Sequence, residues 1–317
     1  MTDQRPVVTF GESMMLLATP SVGALQHASS MTVRIGGAES NVAIGLQRLG
    51  VPTVWMSKLG ADSAGDLVER EIRAEGVTVV ASRDAGAPTG LMLKERRTPT
   101  STRVSYYRAG SAASRATPDD LDEDVIRSAA LLHLTGITPA LSASAAELTL
   151  QAARTAKDSG VRVSFDLNYR STLWSAARAH EFYAAILPLV DVLFAGDDEA
   201  AIALGHNAAP AQLARELAAR GPSEVVIKLG SRGALTLAHS EITSRDAVHI
   251  DPVDTVGAGD AFVAGYLAEL LAAASIEQRL ETAVAVGAFA CLSPGDWEGA
   301  PRRDELRLLS PDDPVAR

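Results

Sequence analysis

The segment from Asp254 to Asp260, Asp-Thr-Val-Gly-Ala-Gly-Asp, contains the residue types that can handle a phosphoryl group. Its three small residues let backbone N–H groups converge at the start of the apolar helix that follows, and such converging groups bind anions. Asp260 lies in the first turn of that helix, where a carboxylate can accept the proton of a substrate hydroxyl. An acidic residue is also favourable there through the helix dipole alone. On this segment by itself, a catalytic turn and an ordinary helix start are equally good interpretations.

A second set of residues predicts a site for an anionic substrate. Asp166, Asn168 and Arg170 alternate beyond a predicted parallel strand, so their side chains point together toward the crevice where open α/β sheets bind ligands. Tyr106 and Arg108 share one face of another extended segment by the same period of two. Arginine binds carboxylates through a planar fork, so two arginines in one pocket predict an acidic group on the substrate. Each arginine taken alone is more typical of an exposed ion pair of little energetic value.

The elements that would position these residues alternate in the order typical of an α/β protein. Helical patterns rich in Ala and Leu separate a series of β-prone runs. These runs cover residues 7–10, 54–59, 131–134, 161–166, 191–194 and 224–228. Such a series predicts one core domain with a mostly parallel sheet and helices on both faces.

Local signals predict where several helices begin and end. Apolar residues at helical spacing between Glu39 and Leu49 predict a helix that stops before Gly50, and Asp62 is the expected N-cap of the next helix. Ser144 and Glu147 have the spacing of a capping box and predict another helix start.

One region breaks the alternation. Segments 90–93 and 102–108 are extended with no helix between them, which predicts a β-hairpin. We therefore expect one domain over residues 1–317, with segments 13–35 and 88–112 forming a small β lid inserted in it.

Composition excludes several classes of function. The formal charge of −10 and the pI near 5.1 oppose extended binding to a phosphate backbone, so no nucleic-acid partner is expected. The densest basic run, residues 94–97, is interpreted as a solvated hairpin edge. Cys291 is the single cysteine, which excludes an intrachain disulfide and predicts a buried thiol in a cytoplasmic protein. The N-terminus lacks the apolar stretch of a signal peptide and no run is long enough for a membrane span, so neither export nor membrane attachment is expected.

Three motifs together resemble the ribokinase/PfkB carbohydrate-kinase family. Segment 254–260, followed by Ala264-Gly265-Tyr266, resembles the family's C-terminal signature. Segment 36–43, Gly-Gly-Ala-Glu-Ser-Asn-Val-Ala, resembles its N-terminal Gly-Gly motif, although Asn41 stands one residue further from the glycines than usual. Segment 226–234, Val-Ile-Lys-Leu-Gly-Ser-Arg-Gly-Ala, resembles its nucleotide-binding strand and turn.

The resemblance implies a role for particular residues of this chain. It implies Asp260 as the general base, with the backbone of Gly257, Ala258 and Gly259 as the anion-binding turn. The implied substrate contacts are Gly37, Tyr106, Arg108, Ile137, Arg170 and Asp296. The implied nucleotide contacts are Lys228, Ser231, Gly233, Gly257 and Gly259. The family's Asn-x-x-Glu motif falls on residues 196–199, where the Asn is replaced and Glu199 remains as a metal contact. His133 is interpreted as a packed residue rather than a base, because nothing acidic flanks it in the sequence.

Within the family, Tyr106, Arg108 and Arg170, with segments 11–13 and 295–299, resemble kinases that phosphorylate the terminal (C6) hydroxyl of 2-keto-3-deoxygluconate. Leu16 stands where ribokinases carry an acidic sugar contact, which disfavours ribose. A fructokinase or a 5-dehydro-2-deoxygluconokinase is the nearest alternative, and a non-catalytic sugar or nucleotide sensor on the same fold is a third. The implied cofactors are ATP and Mg²⁺, with a monovalent cation left open. A homo-oligomer is expected, because the exposed edge of a lid strand can pair with a second subunit.

Overall fold

The computed structural model describes residues 5–98 and 101–309. The expectations for the extreme N-terminus and for residues 99–100 of the lid segment lie outside these ranges. Thirteen strands fall within them. In chain order these are β1 Val7–Phe10, β2 Met14–Ala18, β3 Thr32–Gly36, β4 Thr53–Gly60, β5 Thr78–Asp84, β6 Leu91–Thr98, β7 Ser101–Tyr107, β8 Leu131–Thr135, β9 Arg162–Asp166, β10 Val192–Gly196, β11 Glu224–Lys228, β12 Ala234–Ala238 and β13 Glu241–Arg245.

Ten α-helices fall in the described ranges, eight between these strands and two after the last of them. They are α1 Ala38–Arg48, α2 Ser63–Ala74, α3 Glu123–Arg127, α4 Ile137–Leu141, α5 Ala143–Asp158, α6 Ala176–Ile186, α7 Asp197–Leu204, α8 Pro210–Ala218, α9 Ala258–Leu271 and α10 Ile276–Ala290. None of the helices within residues 5–98 and 101–309 combines the length and the apolar character needed to cross a lipid bilayer.

Nine strands form the main sheet, in the order β13-β12-β11-β10-β9-β8-β1-β4-β5. The pairs from β11 across to β5 are parallel, and β12 and β13 continue the sheet antiparallel at one edge. The predicted α/β class with a mostly parallel sheet is confirmed. Segments β5, β12 and β13 were not predicted as strands. Their sequences are polar or Ala-rich, and pairing at the edges of the sheet overrides that weak local preference.

Helices cover both faces of the main sheet. Strands β1 and β8 are buried along their whole length, as expected for parallel strands packed on two sides. One apolar cluster lies between the sheet and α5 to α8, and the other lies between the sheet and helices α1, α9 and α10. The core therefore fixes the carboxyl ends of the strands, from which the candidate site is built.

One predicted helix start differs from the structure, and two agree to within one residue. Asp62 caps α2, because its carboxylate accepts the Gly65 N–H at 2.7 Å. The N-cap of α5 is Ser142, which accepts the Ala145 N–H, so the capping box placed at Ser144 was wrong by two residues. Helix α1 covers Ala38–Arg48, one residue from the predicted range, and Asn41 lies inside it.

The extended segments form a separate sheet of four strands, in the order β3-β2-β6-β7. Strands β6 and β7 pair antiparallel, with Met92 opposite Tyr106, and β2 runs parallel to β6. The inner face of this second sheet carries Leu16, Met92 and Lys94, all buried. This face closes one side of the candidate site.

Candidate active site

Two cavities adjoin the part of the glycine-rich turn nearest Asp260. Gly257 and Asp260 line a smaller cavity of about 100 Å³, together with residues of the second sheet and of helices and loops that follow main-sheet strands. Thr255, Ala258 and Gly259 line a larger one of about 570 Å³, whose walls come from the main sheet and from α9 and α10. The turn is therefore a wall shared by both cavities, and a group bound in one can reach a group bound in the other across it.

Gly257 allows the turn to take this shape. Its φ is 76°, in the left-handed region that glycine adopts at little cost, and it is the N-cap of α9. A Cβ atom at this position would lie 1.7 Å from the carbonyl oxygen of Asp296. The N–H groups of the first turn of α9 open toward the cavities, as the unpaired donors of a helix start do.

Asp260 is held by Asn41 at the edge of the smaller cavity. The Asn41 side-chain amide donates to Asp260 Oδ2 at 2.8 Å. Burial raises the pKa of Asp260 to about 7, with a further increase from Asp166, while Asn41, Arg170 and Lys228 act in the opposite direction. A carboxylate with a pKa near neutrality is well matched to accept a proton from a hydroxyl.

Asn41 is a site residue that the sequence analysis did not assign. It lines the smaller cavity, and its Oδ1 atom is buried with no hydrogen-bond partner among the described residues. The signal was present, because Asn41 belongs to the Gly-Gly motif. Its contact with Asp260 joins residues that are 219 positions apart, which the sequence pattern does not show.

The structure brings all six predicted substrate contacts to the smaller cavity. Gly37 and Ile137 come from the starts of α1 and α4, and Asp296 comes from the loop after α10. Tyr106 and Arg108 come from the end of β7, and Arg170 follows β9. Glu12, Met14 and Met92 also line the cavity and were not predicted.

The two arginines of the cavity differ in their partners. Arg108 is buried and paired with Glu12, its Nε atom lying 2.7 Å from Glu12 Oε2, and Ser111 donates to the other oxygen of Glu12 at 2.5 Å. Arg170 is exposed, and its guanidinium has no hydrogen bond or ion pair to the residues that the structure describes. The expectation of two arginines that share one substrate carboxylate is therefore refined: Arg170 has a free guanidinium, and the charge of Arg108 is already balanced.

Lys94 contradicts the interpretation of residues 94–97 as a solvated edge. It is buried, and its Nζ lies 2.7 Å from Asp254 Oδ2 and 3.3 Å from Asp296 Oδ1. The run resembles a surface edge in sequence because its neighbours are charged. The alternation of β6 turns Lys94, like Met92, toward the interior.

The larger cavity brings together the predicted nucleotide contacts. Lys228, Ser231, Gly233 and Gly259 line it, whereas Gly257 lies on the other side of the turn. Lys228 Nζ contacts both oxygens of the buried Asp166, at 2.8 and 2.6 Å. Although burial opposes a charge on this lysine, the carboxylates of Asp166, Glu199 and Asp260 raise its pKa. A fixed positive charge therefore lies between the larger cavity and Asp260.

His133 and Cys291 are packed side chains, as expected. His133 is fully buried with Nδ1 3.0 Å from Ser164 Oγ, and burial lowers its pKa to about 4, although the charge of Asp166 acts the other way. It is therefore neutral at physiological pH. The thiol of Cys291 donates to the Gly287 carbonyl at 3.3 Å and borders the larger cavity.

Glu199 is not arranged as a direct metal ligand in this structure. Its two carboxylate oxygens accept backbone N–H groups, from Tyr169 at 2.9 Å and from Gly196 at 2.7 Å. Within the described ranges, no three His, Cys, Asp or Glu side chains are grouped so that they could hold a metal ion. A role for Glu199 toward magnesium stays a prediction, and in this arrangement it would act through a water molecule.

A sheet that ends in two adjoining cavities, with a carboxylate and an anion-binding helix start between them, defines a small-molecule kinase. Comparison with known proteins agrees: the model of the pfkB family of carbohydrate kinases matches residues 4–303. The chain belongs to this family and is an ATP-dependent sugar kinase.

Several relatives match almost the whole chain. A 2-dehydro-3-deoxygluconokinase of Bacillus subtilis is 37% identical, over 94% of this chain and 93% of its own. A 2-dehydro-3-deoxygalactonokinase of Haloferax volcanii is 36% identical, over 97% and 94%. Among solved structures, the 2-dehydro-3-deoxygluconokinase of Thermotoga maritima matches with a TM-score of 0.89 at 28% identity, covering 97% of this chain and 98% of its own.

Proposed function

We propose that this kinase transfers the γ-phosphoryl group of ATP to the terminal (C6) hydroxyl of 2-keto-3-deoxygluconate, with Asp260 as general base. One observation carries the proposal: the base and the unpaired guanidinium of Arg170 line the same cavity. An acidic sugar fits between them, with its carboxylate on Arg170 and its far hydroxyl at Asp260. The names of the Bacillus and Haloferax relatives agree with a keto-deoxy sugar acid.

The residues around Asp260 suggest how the transfer proceeds. Asn41 fixes one oxygen of Asp260 and leaves the other free to accept the hydroxyl proton. The hydroxyl oxygen then forms a bond to the γ-phosphorus while the bond from that phosphorus to the bridging oxygen breaks, and ADP leaves with the electron pair. The N–H groups at the start of α9 and the charge of Lys228 stabilise the negative charge of the transferring group.

In the proposed reaction, magnesium would be bound to the phosphates of ATP and would neutralise part of their charge. Such an ion keeps several waters and needs only one or two carboxylates in addition to the phosphates. The half-buried Glu199 is the residue we propose to contact it through water. A monovalent cation stays open in this proposal.

We propose that the second sheet acts as the lid predicted for segments 13–35 and 88–112. It supplies Met92, Tyr106 and Arg108 to the cavity wall, so the sugar site is complete only when this sheet lies over the main one. A site closed in this way keeps water from the phosphoryl group.

The outer face of the same sheet supports a homo-oligomer. Val33 is 56% and Tyr107 63% exposed on strands β3 and β7. The two residues lie on the two edge strands of this sheet. Large exposed apolar side chains on a sheet are typical of a contact surface, and a second copy of the chain is the partner we propose. Light scattering should show a dimer or larger assembly that Val33→Glu weakens. A monomeric wild-type protein would contradict this.

We also propose a cytoplasmic location, because ATP is the phosphoryl donor.

The substrate is tested by ATP turnover across a panel of sugars. The panel contains 2-keto-3-deoxygluconate, 2-keto-3-deoxygalactonate, 5-keto-2-deoxygluconate, fructose and ribose. The galactonate compound is the second candidate, because the Haloferax relative is named for it. We expect the highest kcat/KM for 2-keto-3-deoxygluconate, and phosphate on C6 of the product by ³¹P NMR. A preference for fructose would refute the proposal.

A further inference from the structure

Lys94 is a buried cation that lines neither of the two cavities described above. The smaller cavity is called the sugar cavity here, and the larger one the nucleotide cavity, after the ligands we propose for them. The side chain of Lys94 is 10% exposed, and those of its partners Asp254 and Asp296 are 14% and 9% exposed. Burying a lysine is costly unless its charge is paired. The two carboxylates therefore compensate the buried charge of Lys94.

The three residues of this cluster belong to three separate parts of the molecule. Lys94 lies on β6 of the second sheet, Asp254 begins the glycine-rich turn, and Asp296 lies in the loop after α10. Asp254 and Asp296 are 160 and 202 positions from Lys94 along the chain. One ammonium group therefore joins the second sheet to the turn that carries Asp260.

Each carboxylate of the cluster in turn holds part of the site. Asp254 Oδ1 accepts the Val256 N–H at 3.2 Å, and Val256 precedes Gly257 in the turn. The carbonyl oxygen of Asp296 packs against Gly257, and its carboxylate lies beside Gly36. A displacement of either Asp would move the start of α9.

We propose that Lys94 is a positioning residue for phosphoryl transfer, whose ammonium group fixes the anion-binding turn and Asp296 against the second sheet while substrate is bound. This inference rests on the proposed function, because it assigns the turn and the cavity their roles. The role requires a positive charge in this place and not only a side chain that fills the space.

Without that charge, Asp254 and Asp296 would be two neighbouring buried carboxylates. Burial already raises the pKa of Asp296, with further increases from Glu298 and Asp254, even though Lys94 acts to lower it. Arg34 and Arg96 line the same cavity as Lys94 and Asp254, and Arg34 is paired with Glu298 at 3.1 Å. The Cys291 thiol also lies on this side, and its pKa is raised by burial and by Asp254.

The test compares Lys94→Met and Lys94→Arg with the matched control Lys58→Met. Lys58 is also a lysine on a strand with little exposure, 2.9 Å from Asp120, but its pair lines neither cavity. We expect Lys94→Met to lower kcat by ~10- to 100-fold, as small displacements of a reacting group do, with KM for ATP nearly unchanged. Lys94→Arg should keep most of kcat, and Lys58→Met should lower Tm but not kcat.

The pH profile separates positioning from loss of stability. In Lys94→Met, Asp296 loses the cation that opposes its raised pKa, so it can take up a proton in place of the lysine charge, and kcat should fall as the pH rises and that proton is lost. Wild type and Lys58→Met should lack this falling limb. If Lys94→Met does not fold, the double variant Lys94→Met/Asp254→Asn removes both charges; it should fold and lack the limb, but remain below the wild-type kcat.

Three results would overturn the inference: a normal kcat in Lys94→Met, an equal loss in Lys58→Met, or full wild-type kcat in the double variant. All variants are assayed with the sugar that the wild type phosphorylates best. A different best sugar therefore refutes only the proposed substrate, whereas a normal Lys94→Met enzyme refutes only the role of Lys94.

Discussion

The two cavities on either side of the glycine-rich turn are built in different ways. The larger cavity, where we propose the nucleotide binds, is lined by residues between Lys228 and Cys291, on the main sheet, its helices and the loops that connect them. The smaller cavity, where we propose the sugar binds, is lined by residues from Glu12 to Asp296, on the second sheet and on helices and loops of the main domain. Phosphoryl-donor binding therefore depends on one contiguous part of the chain, and substrate choice depends on how the second sheet meets the first.

The charges of the two sheets follow the same division. Across the junction, Arg108 is balanced by Glu12, and Lys94 is balanced by Asp254 and Asp296. Arg170, on the main-sheet side, has no such partner in the part of the chain that the structure describes. Paired charges hold the cavity together, and the unpaired one remains available for an acidic substrate. Each prediction below changes one side of this division and leaves the other intact.

The largest expected effect is on the base. Asp260→Asn keeps the shape of the side chain but removes the proton acceptor, so kcat should fall by ~10²–10⁴-fold. Binding of an ATP analogue, measured by calorimetry, should be nearly unchanged, because Ala258 and Gly259 line the larger cavity and Asp260 lines the smaller one. Turnover close to that of the wild type would rule out Asp260 as the base.

Replacement of Arg108, the paired arginine, should mainly lower the stability of the protein. Arg108→Met leaves Glu12 buried without its partner, and the loss of one member of a buried pair typically costs ~3–5 kcal/mol. Chemical denaturation should show this loss, and Glu12→Gln in the same chain should restore part of it.

The control for that experiment is Arg245→Met, which breaks an exposed pair with Glu281. Exposed pairs contribute ~0–1 kcal/mol, so its midpoint of unfolding should hardly move. If Arg108→Met is as stable as the control, the division into paired and available arginines does not hold.

The pH dependence gives a smaller effect on the sugar side. Because burial raises the pKa of Asp260 to about 7, its carboxyl group is mostly protonated below that pH and would not act as the base that we propose. We expect kcat/KM to rise by about tenfold per pH unit below 7 and to level off above it. The charge of Arg170 lowers this pKa, so Arg170→Met should shift the rising limb to higher pH. A profile that is flat from pH 5 to 8 would contradict the assignment.

The nucleotide side could be predicted from the sequence more completely than the sugar side, for a physical reason. Lys228, Ser231, Gly233 and the turn at 257–259 lie in short motifs whose geometry is local. Asn41 beside Asp260, Glu12 beside Arg108 and Lys94 beside Asp254 are contacts between distant segments. These contacts form only when the two sheets pack together, and the spacing of residues in the sequence does not predict them.

The main sheet was predictable for a similar reason. Buried parallel strands such as β1 and β8 are short apolar runs that the sequence displays directly. The antiparallel strands β12 and β13 depend on pairing with their neighbours. The start of α5 depends on Ser142, which competes locally with Ser144.

The account is tested most directly by the effect of Arg170→Met on substrate preference. Loss of one charged hydrogen-bond partner typically costs ~1.5–3 kcal/mol, or roughly tenfold to a hundredfold in affinity. We predict that KM for 2-keto-3-deoxygluconate rises by that factor, while KM for ATP and the much weaker use of fructose stay nearly unchanged. Equal losses for the acidic and the neutral sugar would contradict the account and indicate a general ketose kinase.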